Sequence, residues 1–170
     1  MTEKPYAVPA DRAQQIVDQW RTERPDLDAT PFLVIGRLHR VAAALTTELV
    51  RVYAQFGLGE GEFDVLATLR RQGGDCALTP SDLSEQTVVT SGAVTKRVDR
   101  LEALGHVERR RSGTDGRSRL VALTPSGRRL IDEAFAAHLA NEHRLLSVLS
   151  PEERADLERT LLVLSRSLDV

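Results

Sequence analysis

The sequence predicts a mainly α-helical protein with one small β-wing, and three observations carry that expectation. Apolar residues recur at helical spacing along most of the chain, from Ile16 to Leu168. Four segments open on Thr-Pro or Ser-Pro (Thr30-Pro31, Thr79-Pro80, Thr124-Pro125 and Ser150-Pro151). Each supplies a capping hydroxyl followed by a residue suited to the first helical position. Only Val107 to Leu123 reads as two β-capable runs around a turn, the Gly- and Asp-rich Ser112-Gly113-Thr114-Asp115-Gly116.

In chain order, Asp11 to Glu23 forms an amphipathic helix with Ile16, Val17 and Trp20 on one side, stopped by Pro25. Trp20 reads first as an aromatic packing anchor. Thr30-Pro31 starts the longest helix, which ends near Gly57, and Ile35, Leu38, Ala42, Leu45, Leu49, Val52 and Phe56 form its stripe. His39 beside that stripe reads as a core or interface polar residue. Gly59 and Gly61 mark a break, and a helix from Glu62 to Gln72 turns Phe63, Leu66 and Leu69 inward. Asp64 interrupts its apolar start. Thr79-Pro80 opens a short helix to Gln86, halted by the β-branched Thr87 to Thr90. A second helix starts at Thr90 or Ser91 and runs to Leu104, where Gly105 ends it. Thr124-Pro125 opens a helix to about Leu149, and Ser150-Pro151-Glu152-Glu153 is a capping box for the last one.

At 100° per residue, the helix after Thr90 turns Val94, Val98, Leu101 and Leu104 to the core. Ser91, Thr95, Lys96 and Arg100 lie on or beside its outer face, where a recognition helix meets base edges. Arg97 falls inside the apolar stripe, so its charge needs an anionic partner, from the protein or from a ligand. The hairpin beyond Gly105 carries Arg109, Arg110, Arg111, Arg117 and Arg119, and Asp115 is placed to pair with Arg117 and orient it. Helix, turn, helix and basic ribbon is the order in which a winged helix-turn-helix approaches duplex DNA. Arg111, Arg117 and Arg119 are the ribbon's candidates for a minor groove or phosphates. Charge agrees with this. Residues 91–130 hold ten Lys/Arg against four Asp/Glu, or +6, whereas the remainder holds 13 against 21, or −8.

Composition bounds the alternatives. A chain of 170 residues, 41% hydrophobic and 28% charged, suits one globular domain with appended helices. We divide it into a winged-helix core at 60–124 and mainly dimerisation helices at 10–57 and 125–170. The long first stripe and the last two helices carry more apolar surface than the core can cover, which points to a homodimer. Such a dimer sets two recognition helices roughly 34 Å apart on a palindrome. MTEKPYAVPADR lacks the apolar run of a secretory signal, and no run of about 18 apolar residues suggests a membrane span. The single Cys76 excludes an internal disulfide and fits a reducing bacterial cytoplasm. No cysteine or basic residue neighbours it in its loop, so it reads as a bystander thiol. No G-x-G-x-x-G, catalytic triad or metal set is present, and His138 and His143 are five apart, so neither enzyme nor metal site nor cofactor is expected.

The residues from Leu83 to Thr124, with V-T-K-R-V-D-R-L-E-A-L-G-H-V-E-R and then D-G-R-S-R-L-V-A-L-T, resemble the MarR family of bacterial regulators. That resemblance implies a homodimeric winged-helix repressor that leaves DNA when a small molecule binds or a thiol is oxidised. An N-terminal helix bearing Trp, with Asp and Arg 33 residues apart, further resembles the urate-responsive subgroup. It implies an anion pocket of Trp20, Asp64, Arg97 and Arg109. Its effector would be urate, another purine oxidation product, or a small carboxylate such as citrate or aconitate. A regulator that ignores ligands, or one switched by Cys76 oxidation, is the alternative.

Overall fold

The computed structural model describes residues 11–87, 91–111 and 119–169, with the backbone alone at 91–93 and 111. The chain forms two compact units, residues 1–48 and 49–170. In the first, α1 (Arg12–Glu23) is capped by Asp11, whose carboxylate accepts from the Gln14 amide at 2.9 Å. The same carboxylate takes Arg37 Nε at 2.8 Å. That guanidinium contact, with the Gln14 amide, holds the Asp11 carboxyl down at about 2. α2 (Pro31–Gln55) begins at its proline, and its first half leaves Phe32, Val34, Ile35, Val41 and Leu45 exposed. His39 is exposed as well, so it is no core residue of this chain.

The second unit holds α3 (Glu60–Arg71), β1 (Ala77–Leu78), α4 (Pro80–Gln86), α5 (Ser91–Ala103), β2 (Val107–Arg111), β3 (Arg119–Leu123), α6 (Pro125–Leu146) and α7 (Pro151–Ser167). Mostly helix with a three-stranded antiparallel sheet, it has the winged-helix architecture that the sequence predicts. The strand order is β1-β3-β2, and β2 and β3 pair from Val107↔Leu123 to Arg111↔Arg119. Leu66, Leu83, Val94, Val98, Leu101, Val107, Val121 and Ile131 are at most 2% exposed and form one core under the sheet. Burying such side chains at roughly 1.5–3 kcal/mol each holds the short α4, which seven residues could not sustain alone.

The Thr-Pro and Ser-Pro starts behave as hydroxyl caps in three helices. Thr79 accepts from the Asp82 amide, Thr124 from Gly127 and Ser150 from Glu153, each at 3.0–3.2 Å. α7, by contrast, buries none of its residues, and Leu157, Leu161, Leu162 and Val163 lie exposed along it. Among the described residues, no helix is long and apolar enough to cross a membrane.

Several expectations need correction. α3 starts at Glu60, and Gly61 is a buried residue inside it rather than a break. Gly59 is the cap, and the Glu62 side chain reaches back to its amide. Leu104 does not join the core; it is 53% exposed. At 100° per residue it lies about 80° from Val94, at the margin of the stripe, and α5 has already ended at Ala103. Trp20 is 51% exposed, so it is not a buried anchor of its unit. α6 stops at Leu146, three residues early, because a turn at Ser147 precedes the Ser150 cap.

Candidate functional site

The reading surface is built by α5. Val94, Val98 and Leu101 lock its inner face, and this turns Thr95, Lys96 and Arg100 out to solvent. Arg100 also sits 3.9 Å from the half-buried Glu62 of α3. Ser91 opens the helix and Arg111 closes β2 opposite Arg119, and the side chains of Ser91 and Arg111 lie outside the described residues. Asp115 and Arg117 lie wholly outside them. Arg119 is exposed at the start of β3.

Two arginines behave differently from this solvent-facing set. Arg97 is half-buried, and its guanidinium lies across the backbone of Gly61. A Cβ placed there would stand 2.0 Å from Arg97 Nε and 2.1 Å from Cζ, so glycine is what lets the guanidinium lie where it does. Arg97 Nη1 is buried and, among the described residues, has no hydrogen-bond partner. A buried cationic donor without an acceptor is costly, and an anion would relieve it. Arg109 reaches from β2 back to α5, where it donates to Asp99 and Glu102. The Asp99 hydrogen bond, with Glu102 behind it, raises the Arg109 pKa above its ordinary value. Arg109 is only 19% exposed at the side chain.

Asp64 is half-buried on α3, one helical turn beyond Gly61. Its charge is felt at Tyr53, whose hydroxyl is pushed up to about 12 by burial and by the nearby Glu142, Glu60 and Asp64 carboxylates. Tyr53 Oη lies 3.2 Å from His138 Nδ1, and His138 Nε2 lies 3.2 Å from Glu142. Phe63 stacks on the Tyr53 ring at 4.0 Å. Trp20 belongs to the first unit. There it lines an open apolar pocket of about 430 Å³ with Leu27, Pro31, Phe32 and Ile35.

Sequence reasoning missed three features of this surface. Gly61 looked like punctuation, although a glycine inside a helical pattern signals close backbone approach. Asp99 and Glu102, at i and i+3, form a carboxylate pair whose mutual repulsion a facing cation offsets. Arg71 and Gln72, at the end of α3, both reach Gln86 at the end of α4: Arg71 Nη2 meets its carbonyl and Gln72 Nε2 its side-chain oxygen, each at 2.6 Å. Such pairings across the fold leave no periodic trace. Among the described residues, no group of three or more His, Cys, Asp or Glu is arranged to hold a metal.

The geometry agrees with its relatives. A sequence model of the MarR family matches residues 56–118. The HTH-type transcriptional regulator PecS of Dickeya dadantii is 42% identical over 146 residues, 86% of this chain and 88% of PecS. The chain belongs to the MarR family. Among solved structures, a mutant MarR from E. coli complexed with operator DNA has a TM-score of 0.67 at 26% identity, over 85% of this chain and 96% of that one. BpsR of Bordetella bronchiseptica, whose DNA binding is regulated by 6-hydroxynicotinic acid, has a TM-score of 0.67 at 26% identity, over 78% and 92%. This MarR-family chain is a DNA-binding transcriptional regulator and not an enzyme.

Proposed function

We propose that this protein is a homodimeric repressor of palindromic operators, released when a small anion binds near Arg97. The observation that carries the ligand is the buried, unpartnered Arg97 Nη1 held against Gly61. In this reading Arg97 and Arg109 hold the anion by charge-assisted hydrogen bonds, Trp20 offers it an aromatic face, and Asp64 is repelled by it. The effector is urate, a related purine oxidation product, or a small carboxylate such as citrate or aconitate. BpsR, which responds to an aromatic carboxylic acid, supports that class. To act as an inducer, the anion binds the DNA-incompetent arrangement more tightly.

DNA is read by Ser91, Thr95, Lys96 and Arg100 on α5 and by Arg111, Arg117 and Arg119 on the hairpin, with Asp115 orienting Arg117. Thr95, Lys96, Arg100 and Arg119 are all exposed, as DNA readers must be. Dimerisation is supported by the uncovered leucines of α7 and the bare apolar residues along α2. Repression then follows from occlusion of the promoter.

The test is a gel shift on duplex from upstream of the protein's own gene, titrated with urate, xanthine, citrate and trans-aconitate at fixed salt and pH. Release by one anion, abolished in Arg97→Ala, is expected. Tight binding unmoved by every anion would remove the pocket and leave a constitutive or Cys76-dependent regulator.

A further inference from the structure

An acidic residue on the exposed side of a DNA-reading helix needs a reason, because it repels the phosphates that the helix approaches. α5 carries two, Asp99 and Glu102, whose side chains are 59% and 37% exposed. Both point to one guanidinium, that of Arg109, which is only 19% exposed and spends one terminal nitrogen on each carboxylate. Arg109 in turn stands in β2, paired to Val121 of β3, two residues before the strand ends at Arg111. The backbone route between the two elements runs through Leu104, Gly105 and His106, with Gly105 at φ 73. Hydrogen bonds from His106 N to the Leu101 carbonyl and from Thr124 to the Gly105 and His106 carbonyls fix where the ribbon starts, and Arg109, two residues beyond Val107, is the side-chain tie that holds the strand further along against α5.

We propose that Asp99 and Glu102 are positioning residues for DNA binding: through Arg109 they set the ribbon at a fixed angle to α5. The readers on α5 and those on the hairpin then reach the duplex in one register. The guanidinium fork suits this task because two donors on a rigid plane meet two carboxylates one helical turn apart. The guanidinium also offsets one of the pair's two negative charges, which lessens their repulsion of DNA beside Lys96 and Arg100. The inference rests on the DNA-binding reading; it shares Arg109 with the proposed anion site, and its test reads operator binding with no effector present.

Plain electrostatics and positioning predict opposite signs, which makes the proposal testable. Asp99→Asn and Glu102→Gln, singly and together, remove negative charge beside DNA. Without a positioning role, affinity rises. If the clamp positions the ribbon, the double variant binds its operator about tenfold or more weakly, as loss of charge-assisted hydrogen bonds implies. Footprinting separates the contacts. We expect major-groove protection by α5 to survive in the double variant, and protection of the flanking minor groove by the ribbon to fade. Arg109→Lys, which keeps the charge but not the fork, should lose part of the affinity that the double variant loses. Thermal melts of each variant accompany the binding assays, and Glu102→Gln alone serves if the double variant is poorly folded. Unchanged or tighter binding, or parallel loss of both kinds of protection with a fallen melting temperature, overturns the proposal.

Discussion

Replacing Gly61 with alanine separates ligand response from stability. The new Cβ would stand 2.0 Å from Arg97 Nε, 2.1 Å from Cζ and 2.6 Å from Cδ, whereas ordinary contact begins near 3.4 Å. The guanidinium must therefore retreat by about 1.4 Å, and it is the far end of a flexible side chain, so it can. An off-rotamer arginine costs about 0.5–1.5 kcal/mol. Alanine in place of glycine in a helix returns at most about 1 kcal/mol. The two nearly cancel, and the net change in stability should stay within about 1 kcal/mol. A binding constellation tolerates displacement of only about 0.5 Å, so the effector concentration needed for release should rise about tenfold or more. Gly127→Ala is the control. Its Cβ would lie 1.9 Å from the carbonyl oxygen of His106, a backbone atom that cannot swing aside. Overpacking of that kind costs about 3 kcal/mol, or a fall of about 10 °C in melting temperature. Thermal denaturation and effector-titrated gel shifts on both variants supply the comparison. Equal destabilisation by the two substitutions, or normal effector release from Gly61→Ala, would refute the account of Arg97.

Other expectations follow from the same geometry. Lys96→Ala and Arg119→Ala should each lower the slope of log affinity against log salt by about 1, measured by fluorescence anisotropy on operator duplex. Thr124→Ala loses both the cap on Gly127 and the hydrogen bond to the Gly105 carbonyl at 2.7 Å, and should cost about 1–2 kcal/mol in urea unfolding. The raised pKa of Tyr53 means that folding favours the neutral phenol. Its contribution is complete below the ordinary value of about 10 and is lost as pH rises toward about 12. A difference titration of tyrosinate absorbance between the wild type and Tyr53→Phe should place this group near the upper value; ionisation at the ordinary value would contradict the packing described.

Helix starts were legible because they rest on local chemistry. A hydroxyl followed by proline caps a helix wherever the chain goes next, and Pro80, Pro125 and Pro151 open theirs as the residues dictate. β1 was not legible: two residues, Ala77 and Leu78, have no periodicity, and only pairing with Ala122 and Val121 makes them a strand. The interior place of Arg97 was readable from the wheel, since its angular position is local. What it lies against was not, because Gly61 is 36 positions away and a glycine carries no side chain to announce a contact.

By itself, the sequence determined the order of the helices and the hairpin, the basic block on an acidic body, and the family with its DNA-binding role. The order and the basic block follow from propensity, capping, periodicity and net charge, which act within a turn or two of helix or sum over the chain, and the family follows from the resemblance of the run from Leu83 to Thr124. Tertiary structure alone decided which charges face each other. Arg109 closes on Asp99 and Glu102, Arg71 on the Gln86 carbonyl and Arg70 on Asp132 at 2.6 Å. An arginine's reach is several ångströms in any direction, so its partner is chosen by how the helices pack and not by its neighbours in the chain.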